Sequence, residues 1–180
     1  MAARTVLHDA DIARALTRIS HEILESDRSP SGLAKPGLVL LGIPTRGVVL
    51  ARRIGEILET IEPGSAVVGS LDVTMYRDDL AKNPTRASAP TVIPDGGVDG
   101  KTVVLVDDVL YSGRTIRAAL DAINDIGRPR AVRLAALVDR GHRELPIRAD
   151  FVGKNLPSST EERINVRLTE IDGTDEVTIE

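Results

Sequence analysis

The chain contains no cysteine and no tryptophan. Disulfides, thiol nucleophiles and cysteine-ligated zinc or iron–sulfur centres are therefore excluded. Aromatic residues make up 2% of the 180 residues, and they are Tyr76, Tyr111 and Phe151. So few rings argue against base stacking on an aromatic platform. Each ring falls in a segment read as a loop or a substrate hood, which leaves the core to Val, Leu, Ile and Ala. No apolar run approaches bilayer length, so no transmembrane helix is predicted. Asp9 and Asp11 interrupt the N-terminal stretch, unlike a secretory leader, and a cytoplasmic location is expected. Net charge is −4. Binding to nucleic acid would therefore need a local basic face. Two nucleotide motifs are missing as well. No G-x-G-x-x-G follows a strand, which removes the dinucleotide reading. Gly42-Ile43-Pro44-Thr45-Arg46-Gly47 has P-loop glycine spacing, but Val48-Val49 stand where Lys and Ser/Thr belong.

The most informative stretch present is Val103-Val104-Leu105-Val106-Asp107-Asp108-Val109-Leu110-Tyr111-Ser112-Gly113-Arg114-Thr115. Four apolar residues read as a buried strand, which the two carboxylates are expected to stop. A turn with Ser112 and Gly113 follows, and Arg114-Thr115 opens a helical pattern. Backbone N–H groups of such a turn and the helix N-terminus favour an anion. The neighbouring carboxylates suit sugar hydroxyls or a bound Mg²⁺. A capped helix after a buried strand explains one Asp, but not two beside a small-residue turn. The combination points to a sugar-phosphate ligand.

Around this run the chain alternates strands and helices. Asp9 to Glu25 reads as an amphipathic helix through Ile12, Leu16, Ile19 and Ile23, with Asp9 or Asp11 capping it. Leu38 to Leu41 reads as a buried strand, Gly47 to Ile61 as a helix and Ala66 to Tyr76 as a strand. Residues 77–94 are polar and interrupted by prolines, the pattern of a surface loop or a lid. Arg114 to Ile126 reads as a helix with Gly127 as its C-cap, and Ala131 to Val138 as a strand. Two short C-terminal strands follow, with a hairpin turn at Asp172-Gly173. The fold class is α/β: a mainly parallel twisted sheet flanked by helices, in one domain over 1–180. A small hood is expected from 139–157 and the C-terminal strands. Loops after Leu41, Tyr76, Val106 and Val138 should converge at the carboxyl edge, where ligands bind in such sheets.

The run at 103–115 resembles the signature of type I phosphoribosyltransferases. That family transfers phosphoribosyl from phosphoribosyl pyrophosphate (PRPP) to a nucleobase with Mg²⁺. The resemblance implies that Tyr111, Ser112, Gly113, Arg114 and Thr115 hold the 5′-phosphate, and that Asp107 and Asp108 meet the ribose hydroxyls. Thr45, Arg46 and Gly47 suit the pyrophosphate. In that family a strained, often cis, peptide lies in the corresponding loop, here expected at Thr45–Arg46. Arg77 would close over the pyrophosphate and exclude water. Displacement at ribose C1 places positive charge on the sugar, beside Asp107 and Asp108. Mg²⁺ would bind mainly through substrate oxygens, with Asp107 and Asp108 as candidate protein contacts.

The lid string Tyr76-Arg77-Asp78-Asp79-Leu80, the Gly42–Gly47 loop and the stretch from Leu137 to Pro157 are similar to the PyrR family of pyrimidine operon attenuation regulators. That resemblance implies two activities. One is uracil phosphoribosyltransferase activity, giving UMP, with backbone groups of Val138, Asp139 and Arg140 as the uracil-binding candidates. The other is UMP-dependent binding to leader RNA of pyrimidine biosynthetic transcripts. Arg14, Arg18 and His21 share one helical face opposite the apolar set. Residues 128–154 hold seven basic residues against three acidic ones. Arg14, Arg18, His21, His142, Arg143, Arg148 and Lys154 are the RNA-binding candidates. A homodimer or higher homo-oligomer is expected, and would duplicate that patch. Two alternatives stand beside this reading: a phosphoribosyltransferase for another base, such as a purine, and a catalytically weak nucleotide sensor.

Overall fold

A computed structural model of the chain describes residues 2–28, 37–79, 81–82 and 88–180. Its centre is a five-stranded parallel sheet in the order β3-β2-β4-β5-β6. These strands are β2 (Leu38–Gly42), β3 (Ala66–Ser70), β4 (Thr102–Leu110), β5 (Ala131–Asp139) and β6 (Phe151–Asn155). The three main helices are α1 (Asp9–Ser26), α2 (Arg46–Ile61) and α3 (Arg114–Asn124). Both faces of the sheet are buried, and the period-2 alternation of strand side chains divides the core in two. Leu38 and Leu40 of β2, with Val104 and Val106 of β4, face Ile12, Leu16, Ile19 and Ile23 of α1 and Leu50, Ile54 and Leu58 of α2. Val39, Leu41, Val103 and Leu105 face Ile116, Ala119, Ala122 and Ile123 of α3. The helical spacing of the apolar residues in α1 is thus the spacing of its buried stripe. The cap of α1 is His8, whose N–H donates to Asp11 Oδ2 at 2.9 Å.

A second, antiparallel sheet of order β1-β8-β7 forms the hood: β1 (Arg4–His8), β7 (Ile164–Arg167) and β8 (Glu176–Ile179). The sequence reading anticipated β7 and β8 but not β1. Their connection is longer than a two-residue turn. It contains the helical turn α4 (Thr169–Asp172), which ends at Gly173 with φ 77°.

Four expectations are corrected here. Residues 151–155, assigned to the hood, form the edge strand of the main sheet. Phe151 pairs with Ala135 and is buried in the core, so one aromatic does pack there. The carboxylates at 107 and 108 do not end β4. Pairing with β2 stops where Gly42 meets Val106, whereas β5 accompanies β4 to Leu110, so pairing on one side carries the strand past the acids. The strand from Ala66 ends at Ser70, and Thr74–Tyr76 is a single 3₁₀ turn. Gly127 is not a left-handed cap: α3 ends at Asn124 with Asp125 as its C-cap, and a Cβ at Gly127 would lie 2.5 Å from Asp99 Oδ1. Leu80 and residues 83–87, within the expected lid, lie outside the described residues.

Candidate functional site

The strand order reverses between β2 and β4, since β2 leads through α2 outward to β3 and β4 leads through α3 to β5 on the other side. The crevice beyond their carboxyl ends is where an α/β sheet receives a ligand. Two glycines let the backbones meet there. A Cβ at Gly42 would lie 2.4 Å from Val48 Cα, and one at Gly47 would lie 2.4 Å from Val106 O. The N-terminus of α2 is thereby pressed against the end of β4. The loop between β2 and α2 holds a cis peptide at Pro44–Thr45, one bond before the position expected.

Two adjoining cavities occupy this crevice. The first, of about 260 Å³, is lined by Asp107 and by residues 109–116, with Arg77, Asp78 and Asp79 across from them. The second, of about 200 Å³, is lined by Thr45, Arg46, Asp107, Asp108, Thr115 and Thr74, among others. Arg77, Asp107, Val109 and Thr115 belong to both. The structure therefore brings together Asp107, Asp108, Arg46, Arg77, Thr45 and the whole run 111–115, and packs Gly47 directly beneath them. In the first cavity Gly113 turns the chain at φ 91° into α3. The opening N–H groups of that helix have no partners within it, which suits a phosphate.

The cations around the crevice already hold carboxylates. Arg114 pairs with Asp78 and with Glu144, each at 2.5 Å, and these two neighbours, Glu144 foremost, raise its pKa. Arg77 holds Asp79 through Nε at 2.9 Å and Nη2 at 2.8 Å. Arg46 donates from Nη2 to Asp172 Oδ1 at 2.8 Å and from Nε to Oδ2 at 3.3 Å. The Leu168 amide, and after it Arg46, hold the Asp172 carboxyl below the usual range against the opposing effect of burial. Asp78, Glu144 and Asp172 were not anticipated. Asp172 lies 126 residues from Arg46 in sequence, so no local pattern joins them.

The uracil candidates are placed less simply. Val138 is wholly buried, flanked by β4 and β6. The Arg140 N–H donates to Leu110 O at 3.1 Å, and Asp139 O accepts from Leu156 N at 2.8 Å. The Asp139 carboxylate takes Gly141 N at 3.0 Å and Arg143 Nη2 at 2.6 Å. None of the three is among the residues lining the two cavities. Their expected backbone role is thus reduced by partners inside the fold. The Arg140 side chain instead places its guanidinium 4.3 Å from the centre of the Tyr111 ring. The His142 ring meets Tyr111 edge-on, and its Nε2 donates to the Ser158 carbonyl.

The basic candidates divide. Arg14, Arg18 and His21 are exposed on α1. Arg18 donates to Val152 O at 2.8 Å and to Gly153 O at 2.6 Å, which sets this helix face against β6 and its exposed Lys154. Arg148 is exposed before β6. Arg143 points inward, to Ile147 O, Tyr111 O and Asp139, so it is a brace of its own loop rather than a free cation. Nor do residues 128–154 form one patch. Arg128 and Arg130 stand before β5 and Arg140 after it, about 30 Å apart along nine extended residues.

Comparison with known proteins agrees with this geometry. The phosphoribosyl transferase domain model matches residues 3–168. The chain is 71% identical to the "Bifunctional protein PyrR" of Leifsonia xyli over 100% of this chain and 98% of that one. It is 65% identical to the protein of that name in Streptomyces coelicolor, covering 97% and 88% of the two chains. The chain belongs to the PyrR family of phosphoribosyl transferase domain proteins. The Mycobacterium tuberculosis member is 54% identical over 98% of this chain and 93% of its own. Among solved structures, a hypoxanthine phosphoribosyltransferase from Trypanosoma cruzi shares the fold at a TM-score of 0.74, with 14% identity over 97% and 93% of the chains. A hypoxanthine-guanine phosphoribosyltransferase from Bacillus anthracis has a TM-score of 0.72, 16% identity, and coverage of 97% and 96%. The PyrR family fold is therefore the type I phosphoribosyltransferase fold.

Proposed function

We propose that this chain makes UMP from uracil and PRPP, and that UMP in the same crevice promotes its binding to leader RNA of pyrimidine transcripts. The observation that carries the reading is the meeting of three features at one switch point: a left-handed turn opening α3, the acidic pair in the carboxyl-terminal half of β4, and Arg46 at the N-terminus of α2. The first suits the 5′-phosphate, the second the ribose, the third the pyrophosphate. The phosphate site lies in the first cavity and the pyrophosphate site in the second; Asp107 lines both and Asp108 the second, so the ribose would span the junction between them.

In the reaction the C1–O bond to pyrophosphate breaks, the electron pair leaves with the pyrophosphate, and uracil N1 bonds to C1 as it loses its proton. Asp107 and Asp108 oppose the positive charge that develops on the sugar. Arg46 and the first amides of α2 stabilise the departing anion. Arg77, which borders both cavities, shields the reacting centre from water. Among the described residues no three potential ligands cluster around a metal. Asp107 and Asp108, which line the second cavity together, would hold a Mg²⁺, and its charge would favour departure of the pyrophosphate.

Uracil would meet the loop after β5 beside Tyr111, whose ring carries the Arg140 guanidinium, and exclusion of a larger purine there would set the base preference. The RNA face is α1 with Arg14, Arg18 and His21, continued by Lys154 and Arg148. A homodimer or higher oligomer would join two such faces, and the setting is the cytoplasm. No helix among the described residues is long and apolar enough to cross a membrane.

The test has two arms. With Mg²⁺ and PRPP, uracil should yield UMP and hypoxanthine should not. Turnover of the purine with none of uracil overturns the base assignment. UMP should tighten a gel shift with pyrimidine leader RNA, and RNA should tighten UMP binding by the same factor. A shift indifferent to UMP removes the regulatory half.

A further inference from the structure

We infer that Asp172, in the hood, is a positioning residue that sets Arg46 for the pyrophosphate. The inference deepens the function proposed above and rests on it for the identity of the ligand. Arg46 opens α2 and borders the second cavity together with Asp107, Asp108 and Thr115. On its own, such a side chain samples many rotamers, and fixing it opposes binding. Asp172 removes that freedom by accepting from both Nε and Nη2 in a forked pair.

The carboxylate is itself held. Its Oδ2 also accepts the Leu168 N–H at 2.9 Å, across the α4 turn. That turn is clamped to α2 on both sides by Arg53. Arg53 reaches Glu170 Oε1 at 2.9 Å and Oε2 at 2.5 Å, and Asp175 Oδ2 at 2.6 Å and Oδ1 at 2.8 Å. Arg46 and Arg53 lie seven residues apart, two turns along one face of α2. Helix α2 thus grips the hood with Arg53, and the hood returns Asp172 to Arg46. The fork uses one edge of the guanidinium. Among the described residues, Nη1 and the opening amides of α2 are left for an anion, so Asp172 and the pyrophosphate can be held together. A brake would instead require the pair to part.

The experiment is calorimetric titration of the whole protein with pyrophosphate in Mg²⁺, and separately with UMP, alongside steady-state kinetics. Asp172→Asn keeps an acceptor for the Leu168 N–H and loses the charge. We expect pyrophosphate affinity to fall about three- to tenfold and the KM for PRPP to rise alike. The KM for uracil and the affinity for UMP should stay unchanged, and Asp172→Glu should restore most of the loss. In the Arg46→Ala background the Asp172 change should have no further effect. Pyrophosphate affinity that is unaltered or tighter in Asp172→Asn overturns the inference, and so does an equal loss for UMP, which would report general damage to the hood. Because the titration needs no nucleobase, wild type that binds pyrophosphate but does not use uracil would sink the base assignment and leave this test standing.

Discussion

Arg143 Nη1 donates to the carbonyl of Tyr111 at 2.8 Å, tying the loop after β5 to the turn that opens α3. The same contact is reinforced by the backbone: Glu144 N and Leu145 N both donate to Ser112 O, at 2.9 and 3.2 Å. Gly113 lies so close to this strap that a Cβ there would be 3.2 Å from Ile147 Cβ. Arg143 also holds Asp139 and Ile147 O, so it is a structural support for the nucleotide site.

Arg143→Ala should therefore weaken UMP binding about three- to tenfold, as expected for losing charge-assisted hydrogen bonds. RNA binding at subsaturating UMP should fall and recover at saturating UMP, with its salt dependence unchanged, because no phosphate contact is lost. Removing a true phosphate contact, as in Lys154→Ala or Arg148→Ala, should lower the slope of log K against log salt by about 0.7–0.9. Filter binding across a salt series separates the two cases. A lowered slope in Arg143→Ala with unchanged UMP affinity would make it an RNA contact instead.

The acidic pair should be indispensable to turnover but not to folding. Asp107 is nearly buried and Asp108 half-buried, and each accepts the N–H of the residue that follows it, at 2.9 and 2.8 Å. Asn preserves those acceptors. The double change Asp107→Asn with Asp108→Asn is expected to lower kcat/KM by at least about a hundredfold, the scale for losing electrostatic stabilisation of a transition state. Circular dichroism and the urea midpoint should shift little. Full turnover in the double variant would remove the carboxylates from the mechanism.

Gly47 tests the packing beneath the pyrophosphate site. Its missing side chain lets α2 meet the Val106 carbonyl, and a methyl group there would sit 2.4 Å from that oxygen. Since the obstacle is backbone, either the helix or the strand has to move. Gly47→Ala should cost about 1–3 kcal/mol in urea unfolding, in the range of overpacked cores. It should also raise the KM for PRPP, since the opening turn of α2 shifts with Arg46.

Much of this site was legible in the sequence because its parts are local. The strand–acid–turn–helix run carries its chemistry within thirteen residues, and Gly42 to Gly47 carries its own within six. The helical period of Ile12, Leu16, Ile19 and Ile23 located α1, and the short apolar runs located β2, β4 and β5. What escaped was non-local. β1 has no distinguishing pattern and exists because β8 pairs with it from the far end of the chain. β6 read as hood because only its parallel pairing with β5 marks it as sheet. Arg143 read as a surface cation because its partners, Tyr111 O among them, are backbone groups that no composition count reveals. Asp172 read only as part of a turn, because its partner Arg46 lies 126 residues away in sequence.

The clamp of Arg53 on the hood carries a pH signature. Asp175 is held well below the ordinary carboxyl range, chiefly by Arg53 and further by the Thr169 amide and hydroxyl, against the opposing effect of burial. A carboxyl whose folded pKa lies below its unfolded value contributes stability above the unfolded value, about 3.9. That contribution is lost as pH falls through the folded pKa, when the native carboxylate is finally protonated. Wild type should therefore exceed Asp175→Asn in stability at pH 7 by about 1–2 kcal/mol, since Glu170 still holds Arg53 in the variant. The gap should remain level down to about pH 5 and narrow below about pH 4. Urea unfolding of both proteins between pH 7 and pH 3 measures it. A gap that widens on acidification would mean that Asp175 is protonated more readily in the folded chain than in the unfolded one, and would contradict the geometry of the clamp.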